Sequence, residues 1–292
     1  MDHKPFIATP GETIYLKDYS PNFTGDFPDK GKALPKLRAD VKRLAKYQET
    51  LYAQDTYALL IVIQAMDTAG KDGVIRHVMS GVNPQGCQVF SFKAPSHEEL
   101  DHDYLWRCNR ALPERGRIGI FNRSYYEEVL IVRVHPKILE LQHMPPEAMG
   151  KDIWGKRFDE INGFEKHLVR NGTIILKFFL NVSKEEQRQR LLARAETPEK
   201  QWKVSLRDAQ ERAHWDKYMH AYEEMLNNTS TSWAPWHIIP ADHKWFTRAL
   251  IADIIVARLK SLKPDYPSVS DEHRQEIAKV KELLESEFLP KP

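Results

Sequence analysis

The chain has 292 residues, enough for one large domain or two small ones. Its 43 lysines and arginines nearly balance 41 aspartates and glutamates. A formal net charge of +2 excludes a protein that is basic all over and coats nucleic acid, and also an acidic disordered tail. A polyanionic ligand would need positive charge that is concentrated locally.

The first 35 residues are rich in Pro, Asp, Gly and Lys and predict an extended N-terminal arm. Apolar residues then recur with helical spacing from Leu37 to Leu51. Short apolar runs predict buried strands, at 57–64, 87–92, 118–121, 173–180 and 237–239. Helical patterns separate these runs, so we expect an α/β fold with a doubly wound parallel sheet.

The later segments predict mainly helices. A capping box at 96–99 begins a run that ends near Leu112, and a second capping box lies at 183–186. We expect residues 183–228 to form a helical hairpin that projects from the sheet. A single domain then covers residues 1–262, and a charged helix at 270–288 lies in a C-terminal extension of residues 263–292.

The longest apolar run, 58–63, is too short to cross a bilayer, and the first residues lack the apolar core of a signal peptide. The two cysteines, Cys87 and Cys108, form neither a disulfide framework nor a CxxC metal spacing. These features predict a cytoplasmic protein in a reducing compartment, without a membrane partner.

The segment 65–73, Ala-Met-Asp-Thr-Ala-Gly-Lys-Asp-Gly, connects the first strand to a helix, as a P-loop does. Ala65 replaces the usual first glycine, and Asp72 replaces the usual Ser or Thr. Asp67 could hold Mg²⁺ beside phosphates. The predicted phosphate-binding residues here are Thr68, Ala69, Gly70, Lys71, Asp72 and Gly73. The alternative is an ordinary turn with Gly70 as a cap and Lys71 in solvent.

Polar residues follow the strand at 118–121, where ligands of α/β sheets bind. Arg123 is placed to bind phosphate in a bidentate manner, and Arg133, further along, is another predicted phosphate-binding residue. Asn122 stands where many P-loop proteins have a metal-binding Asp, and Glu127 and Glu128 follow as candidate metal ligands. The alternative is a helix capped by Asn122 or Ser124 with solvated glutamates.

The segment 187–195 carries three arginines and no acid, and Lys203 follows it. Opposite a P-loop it would act as a lid that excludes water and neutralises phosphate charge, through Arg188, Arg190, Arg194 and Lys203. The alternative is a solvated helix with ion pairs to neighbouring glutamates. Five arginines against one Glu in 104–123 add local positive charge, so both segments beside Lys71 would make a basic phosphate channel.

The turn-rich loop at 81–86 could line a nucleotide pocket with Asn83 and Pro84, although loops of this kind are usually connectors.

Together, the segments 65–73, 81–86, 121–128 and 178–187 resemble the polyphosphate kinase 2 family, over about residues 35–262. Asn122 and the Tyr-Tyr-Glu-Glu after Ser124 resemble its class III subgroup. The resemblance implies a P-loop kinase-like three-layer fold with a central parallel sheet and a helical lid. It implies Mg²⁺ or Mn²⁺, and reversible phosphoryl transfer between inorganic polyphosphate and adenine nucleotides, from AMP to ADP and from ADP to ATP. It also implies a homo-oligomer, a dimer or tetramer.

The resemblance further implies roles for individual residues. Asp67 would organise metal, and Lys71 and Arg123 would bind phosphate. Asn122 cannot supply the carboxylate of the family's second acidic position, so Glu127 or Glu128 would complete the metal site. Two other functions stay open: an ATP-dependent nucleoside monophosphate kinase, and a nucleotide- or polyphosphate-binding regulator without catalysis. Nothing in the chain resembles the motifs of a nucleic-acid motor.

Overall fold

The structure, a computed structural model, describes residues 1–287. Its centre is one parallel sheet with the strand order β2-β3-β1-β4-β5. The strands are β1 Ala58–Ala65, β2 Cys87–Ser91, β3 Ile118–Asn122, β4 Thr173–Asn181 and β5 Trp236–Pro240. The predicted α/β class and its central parallel sheet are confirmed.

Eleven α-helices occur among the described residues. They are α1 Lys30–Gln54, α2 Lys71–Val78, α3 His97–Leu100, α4 Trp106–Asn109, α5 Ile131–Val134, α6 Ile153–Arg170, α7 Lys184–Glu196, α8 Leu206–Glu211, α9 Trp215–Thr229, α10 Lys244–Ser261 and α11 Asp271–Ser286. All eight residues of β1 are buried, because helices cover both faces of the sheet. α1, α2 and α10 pack together in one layer, and α5, α6 and α9 pack together in the other.

The N-terminal arm lies beside β5, the outer strand of the sheet. The amide of Ala8 donates to the carbonyl of Trp236 in β5 at 2.9 Å, and Phe6, Ile14 and Leu16 are buried. α1 begins at Lys30, inside the predicted arm, because the Asp29 carboxylate accepts from the amides of Gly31 and Lys32 and caps the helix.

The predicted helix from 96 to about 112 is wrong in extent. The capping box of Ser96 and Glu99 is present, but α3 has four residues and α4 starts only at Trp106. Between them the Asp103 carboxylate accepts from the amide of Leu105 at 2.9 Å. Such local bonds from Asp offer the backbone an alternative to the helix.

The predicted projecting hairpin is shorter in the structure. Residues 184–229 are mainly helical, but α9 belongs to the core, because its aromatic and apolar residues recur at helical spacing and are buried: Trp215, Tyr218, Ala221, Tyr222, Met225 and Leu226. α7, α8 and the turns around them, residues 184–214, remain as the candidate lid.

The C-terminal helix α11 has no buried residue. The predicted end of this helix, Phe288, and the rest of the predicted extension to residue 292 lie outside the described residues. From Met1 to Glu287, no helix is long and apolar enough to cross a membrane.

Candidate active site

The turn between β1 and α2 has the backbone of an anion-binding loop. Gly70 has φ 117° at the N-cap of α2, and Thr68 has φ 63°. Lys71 is the first residue of α2, and its Nζ donates to the carbonyl oxygens of Ala65 at 2.8 Å and Met66 at 3.2 Å. Lys71 is therefore buried beneath the loop, and the alternative that placed it in solvent is wrong.

Arg123 lies beside this loop because β3 pairs with β1 in parallel and both strands end at the same edge. Its guanidinium donates to Asp67 Oδ1 at 2.5 Å and to Glu127 Oε2 at 3.0 Å. Burial opposes the ionised form of Asp67, but Lys71, Arg123 and Arg194 together lower its pKa. Glu127 and Asp67 raise the pKa of Arg123, although burial opposes them. Both groups are therefore charged near neutral pH.

Asn122, the last residue of β3, contacts the residue that replaces the usual P-loop Ser or Thr. Its Nδ2 donates to Asp72 Oδ1 at 2.9 Å. A carboxylate at position 122 could not donate this bond and would repel Asp72. The Asn at 122 and the Asp at 72 therefore fit each other.

The predicted metal ligands are placed differently from one another. Among residues 1–287, no three His, Cys, Asp or Glu side chains form a group that could hold a metal ion. The carboxylate of Glu128 accepts from Gln142 Nε2 at 2.8 Å and lies 3.3 Å from Arg157 Nε, and burial raises its pKa. These contacts do not favour the expected role of Glu128 as a metal ligand. Glu127 is paired with Arg123.

Asp67 remains the carboxylate that fits a metal. Its side chain is 36% exposed in the turn between β1 and α2, and Arg123 bonds to its Oδ1. Mg²⁺ is commonly bound by one or two carboxylates, with substrate phosphates and water as its other ligands. One ionised carboxylate beside the loop is therefore consistent with a metal that is held jointly with a substrate.

The three arginines of α7 have three different environments. Arg188 is exposed and pairs with Glu185. Arg194 pairs with Asp208 at 3.0 Å, in α8. Arg190 is buried; it donates to the carbonyl oxygens of four residues and to Glu186. The four carbonyls belong to Thr68, Ala69, Ala241 and Asp242.

Arg190 therefore clasps the P-loop to the loop after β5, and its donors are already used. Gln187, one turn earlier, adds a bond from its Nε2 to the carbonyl of Asp67 at 3.1 Å. The first half of α7 is thus joined to the loop it faces. The expectation that Arg190 and Arg188 bind phosphate does not agree with these contacts. Arg194 stays a predicted phosphate ligand.

The remaining predicted residues lie elsewhere. Arg133 contacts Glu224 at 3.5 Å and the ring of Trp154. Asn83 and Pro84 precede β2, which starts beside Ile118, the first residue of β3. They therefore lie at the end of the sheet where the strands begin, whereas the P-loop lies where β1 ends. There the Asn83 side chain caps a short turn. This placement favours the alternative that the loop is a connector.

Of the five arginines in 104–123, Arg123 alone contacts the P-loop among the described residues. Arg115 donates to the carbonyl of Asn171, and Arg117 pairs with Glu114, both before β3 begins. The predicted source of the basic channel is thus partly wrong, because β3 separates Arg115 and Arg117, which precede it, from Arg123, which follows it.

A cleft of about 720 Å³ lies between the P-loop, α7, the turn at 198–203 and the start of α10. Eight basic side chains line this basic cleft: Lys71, Arg123, Arg190, Arg194, Lys200, Lys203, Lys244 and Arg248. Its three acids are Asp67, Asp72 and Glu186. Lys244 and Arg248 were not predicted as part of this site. Their place in the sequence could have indicated this role, because they follow the carboxyl end of β5, where ligands of α/β sheets bind.

A second cavity of about 470 Å³ meets the basic cleft at Asp67 and Arg123, which line both. This apolar pocket lies between the chain after β2, the segment 123–142, α8 and α9. Its walls include the side chains of Phe92, Tyr125, Leu130, Ile131, Tyr218 and Tyr222. The site therefore joins a basic cleft to an apolar pocket across one ion pair.

We expect Arg190→Ala to lower the free energy of unfolding by about 2–4 kcal/mol, because several buried carbonyl oxygens would lose their donor. Arg188→Ala, on the exposed face of the same helix, should change it by less than about 0.5 kcal/mol. Urea denaturation of both variants measures the difference. Unchanged stability in Arg190→Ala, with weaker binding of a phosphate ligand, would instead identify Arg190 as a direct ligand.

The family model of polyphosphate kinase 2 (PPK2) matches residues 29–267. A Rhodopseudomonas palustris protein named ADP-polyphosphate phosphotransferase is 51% identical over 282 residues, 96% of this chain and 98% of that protein. A Meiothermus ruber protein named AMP/ADP-polyphosphate phosphotransferase is 44% identical over 265 residues, 90% of this chain and 95% of that protein.

Structural comparison agrees with the sequence comparison. The crystal structure of polyphosphate kinase 2 from Arthrobacter aurescens TC1 superposes with a TM-score of 0.85 and 39% identity. The superposition covers 94% of this chain and 98% of that one. The chain therefore belongs to the polyphosphate kinase 2 family.

Proposed function

We propose that the protein transfers phosphoryl groups reversibly between inorganic polyphosphate and adenine nucleotides, converting AMP to ADP and ADP to ATP. The observation that carries the proposal is the meeting of two unlike cavities at Asp67 and Arg123. The basic cleft suits a polyanionic donor chain, and the apolar pocket suits the base of a nucleotide acceptor. The names of the Rhodopseudomonas and Meiothermus relatives support the same reaction.

The lining of the basic cleft favours polyphosphate over ATP as donor. Apart from Ala193 and two glycines, every side chain that lines it is polar or charged. An adenine base needs an apolar or aromatic surface, whereas a polyphosphate chain presents charge along its length. Arg190 also fills the space between the P-loop and the loop after β5, where it donates to the carbonyl oxygens of Ala69 and Ala241. These features argue against the ATP-dependent monophosphate kinase.

The catalytic task consists mainly of positioning and charge neutralisation. Lys71 and Arg123 would bind the transferred phosphoryl group, and Arg194 would neutralise charge after leaving Asp208. Asp67 would hold Mg²⁺ (or Mn²⁺) jointly with substrate phosphates, and the metal would neutralise charge that develops on the phosphate oxygens. The acceptor phosphate is already anionic at pH 7, so the reaction needs no strong general base.

The deciding experiment supplies AMP or ADP with polyphosphate and Mg²⁺, without ATP, and resolves the nucleotide products over time. We expect ADP from AMP, followed by ATP. Phosphorylation of AMP by ATP but not by polyphosphate would favour the monophosphate kinase. Nucleotide binding without turnover would favour the non-catalytic regulator. Either result would overturn the proposal.

We also propose a location, an oligomeric state and the absence of a nucleic-acid partner. Cys87 and Cys108 are both free thiols, which supports the expected reducing, cytoplasmic location. The expected homo-oligomer, a dimer or tetramer, rests on the family alone. The near balance of charge supports the expectation that no nucleic acid is bound.

A further inference from the structure

Two basic side chains at the start of α10 face the basic cleft. Lys244 and Arg248 are four residues apart and therefore share one face of the helix. Arg248 lies against the first turn of α2: a Cβ atom placed on Gly73 would come 3.1 Å from its Nη2. The absence of a side chain at Gly73 thus gives the guanidinium room beside the P-loop.

These two cations lack the partners that the other basic residues of the site have. Arg123, Arg190 and Arg194 each pair with a carboxylate. Within residues 1–287, no carboxylate oxygen lies within 4.0 Å of Lys244 Nζ or of the Arg248 guanidinium. Their neighbours are mainly like charges: burial, Arg190 and Arg76 lower the pKa of Arg248, and burial and Arg190 lower that of Lys244 despite Glu186.

Lys244 is exposed and Arg248 is partly buried. Cations that repel one another destabilise a fold unless an anion compensates them. The cleft offers space for such an anion. Lys244 and Arg248 line the basic cleft but not the apolar pocket, whereas Asp67 and Arg123 line both. Lys71 also lines only the basic cleft, so strand order has to separate the groups. The junction at Arg123 follows β3, on one side of β1, whereas α10 follows β5, on the other side of β1, so Lys244 and Arg248 lie on the donor side, away from the junction.

We propose that Lys244 and Arg248 bind the phosphates of the donor chain that lie beyond the reacting end, and so set the preference for long over short polyphosphate. This inference rests on the proposed function. A donor of three phosphates fills the reacting end near Lys71 and Arg123, while a longer chain continues to α10. Each charge-assisted contact there strengthens binding of the long donor only.

The test compares the steady-state kinetics of Lys244→Met and Arg248→Met with tripolyphosphate and with a long-chain polyphosphate fraction. We expect kcat/KM for the long chain to fall about tenfold in each variant, through KM. The value for tripolyphosphate should stay within about twofold. Arg258→Met, an exposed arginine near the other end of α10, is the matched control.

Thermal unfolding of the same variants checks that the fold is retained, and we expect equal or greater stability because repulsion is relieved. Equal losses with both donors would place the two residues at the reacting end and overturn the inference. No loss with either donor would also overturn it. A wild-type enzyme that uses no polyphosphate of any length would refute the proposed function itself, which keeps the two failures distinct.

Discussion

Replacing Lys71 by methionine should lower kcat for phosphoryl transfer about 1,000-fold, the largest loss that we expect from a single side chain. Lys71 lies at the base of the P-loop, and its Nζ is held by the carbonyls of Ala65 and Met66. Methionine preserves most of the volume of the side chain but brings no charge to the transferred phosphate. Initial rates with saturating polyphosphate and ADP measure the effect.

The control for this variant is Lys42→Met, which removes an exposed lysine from α1. It should leave both rate and stability unchanged. A Lys71→Met enzyme that keeps its fold and more than about a tenth of the wild-type rate would exclude Lys71 from the transition state.

The pH dependence of kcat/KM should follow the ionisation of Lys71. Burial and Arg123 lower the pKa of Lys71 from 10.5 to about 8, against the opposing effect of Asp67, Glu127 and Asp72. The free enzyme therefore loses this charge as pH rises through about 8. We expect kcat/KM to fall above that pH, because kcat/KM follows ionisations of the free enzyme. A flat profile up to pH 10 would contradict this assignment.

Asp67→Asn should lower kcat about 100-fold and raise the Mg²⁺ concentration that gives half-maximal rate. Asp67 is the carboxylate inside the P-loop, and its low pKa keeps it ionised near neutral pH. Asparagine retains an oxygen that can accept from Arg123 but loses the charge that attracts the metal. Rates measured across a Mg²⁺ titration, at fixed polyphosphate and ADP, separate the two effects.

The matched variant is Asp159→Asn, an exposed position on α6. It should not change the Mg²⁺ titration. If Asp67→Asn lowered the rate at an unchanged Mg²⁺ requirement, Asp67 would act by positioning Arg123 and not by holding the metal. A loss of polyphosphate affinity in Asp67→Asn would also indicate that Asp67 positions Arg123, because Arg123 pairs with both Asp67 and Glu127.

Local signals were sufficient wherever one segment of chain contained the whole feature. β1, β3, β4 and β5 follow from short apolar runs and are buried, since a strand covered on both faces is mainly apolar. β2, which was also predicted to be buried, is an edge strand without a buried residue. The loop from Asp67 to Gly73 follows from a strand, a small-residue turn and a Gly-Lys pair in succession. Arg123 follows from its place directly after a buried strand, at the edge where ligands of such sheets bind.

Features that depend on partners from distant segments were not predictable in this way. Arg188, Arg190 and Arg194 look alike in sequence, but the fold leaves one exposed, makes one a clasp for backbone carbonyls, and directs one towards the cleft. Glu127 and Glu128 are adjacent, yet one faces Arg123 and the other Arg157. Successive side chains of a turn point in different directions, so composition cannot assign them to one site.

The sequence by itself determined the α/β class, the P-loop and the family resemblance, because each rests on short-range patterns along the chain. Only the tertiary structure decided how charge is distributed. A chain with a net charge of +2 forms a cleft with eight basic and three acidic side chains. That excess arises because parallel pairing brings the ends of β1, β3 and β5 to one edge, together with α7 and α10. Residues far apart in sequence supply it, so no local count of charges could reveal it.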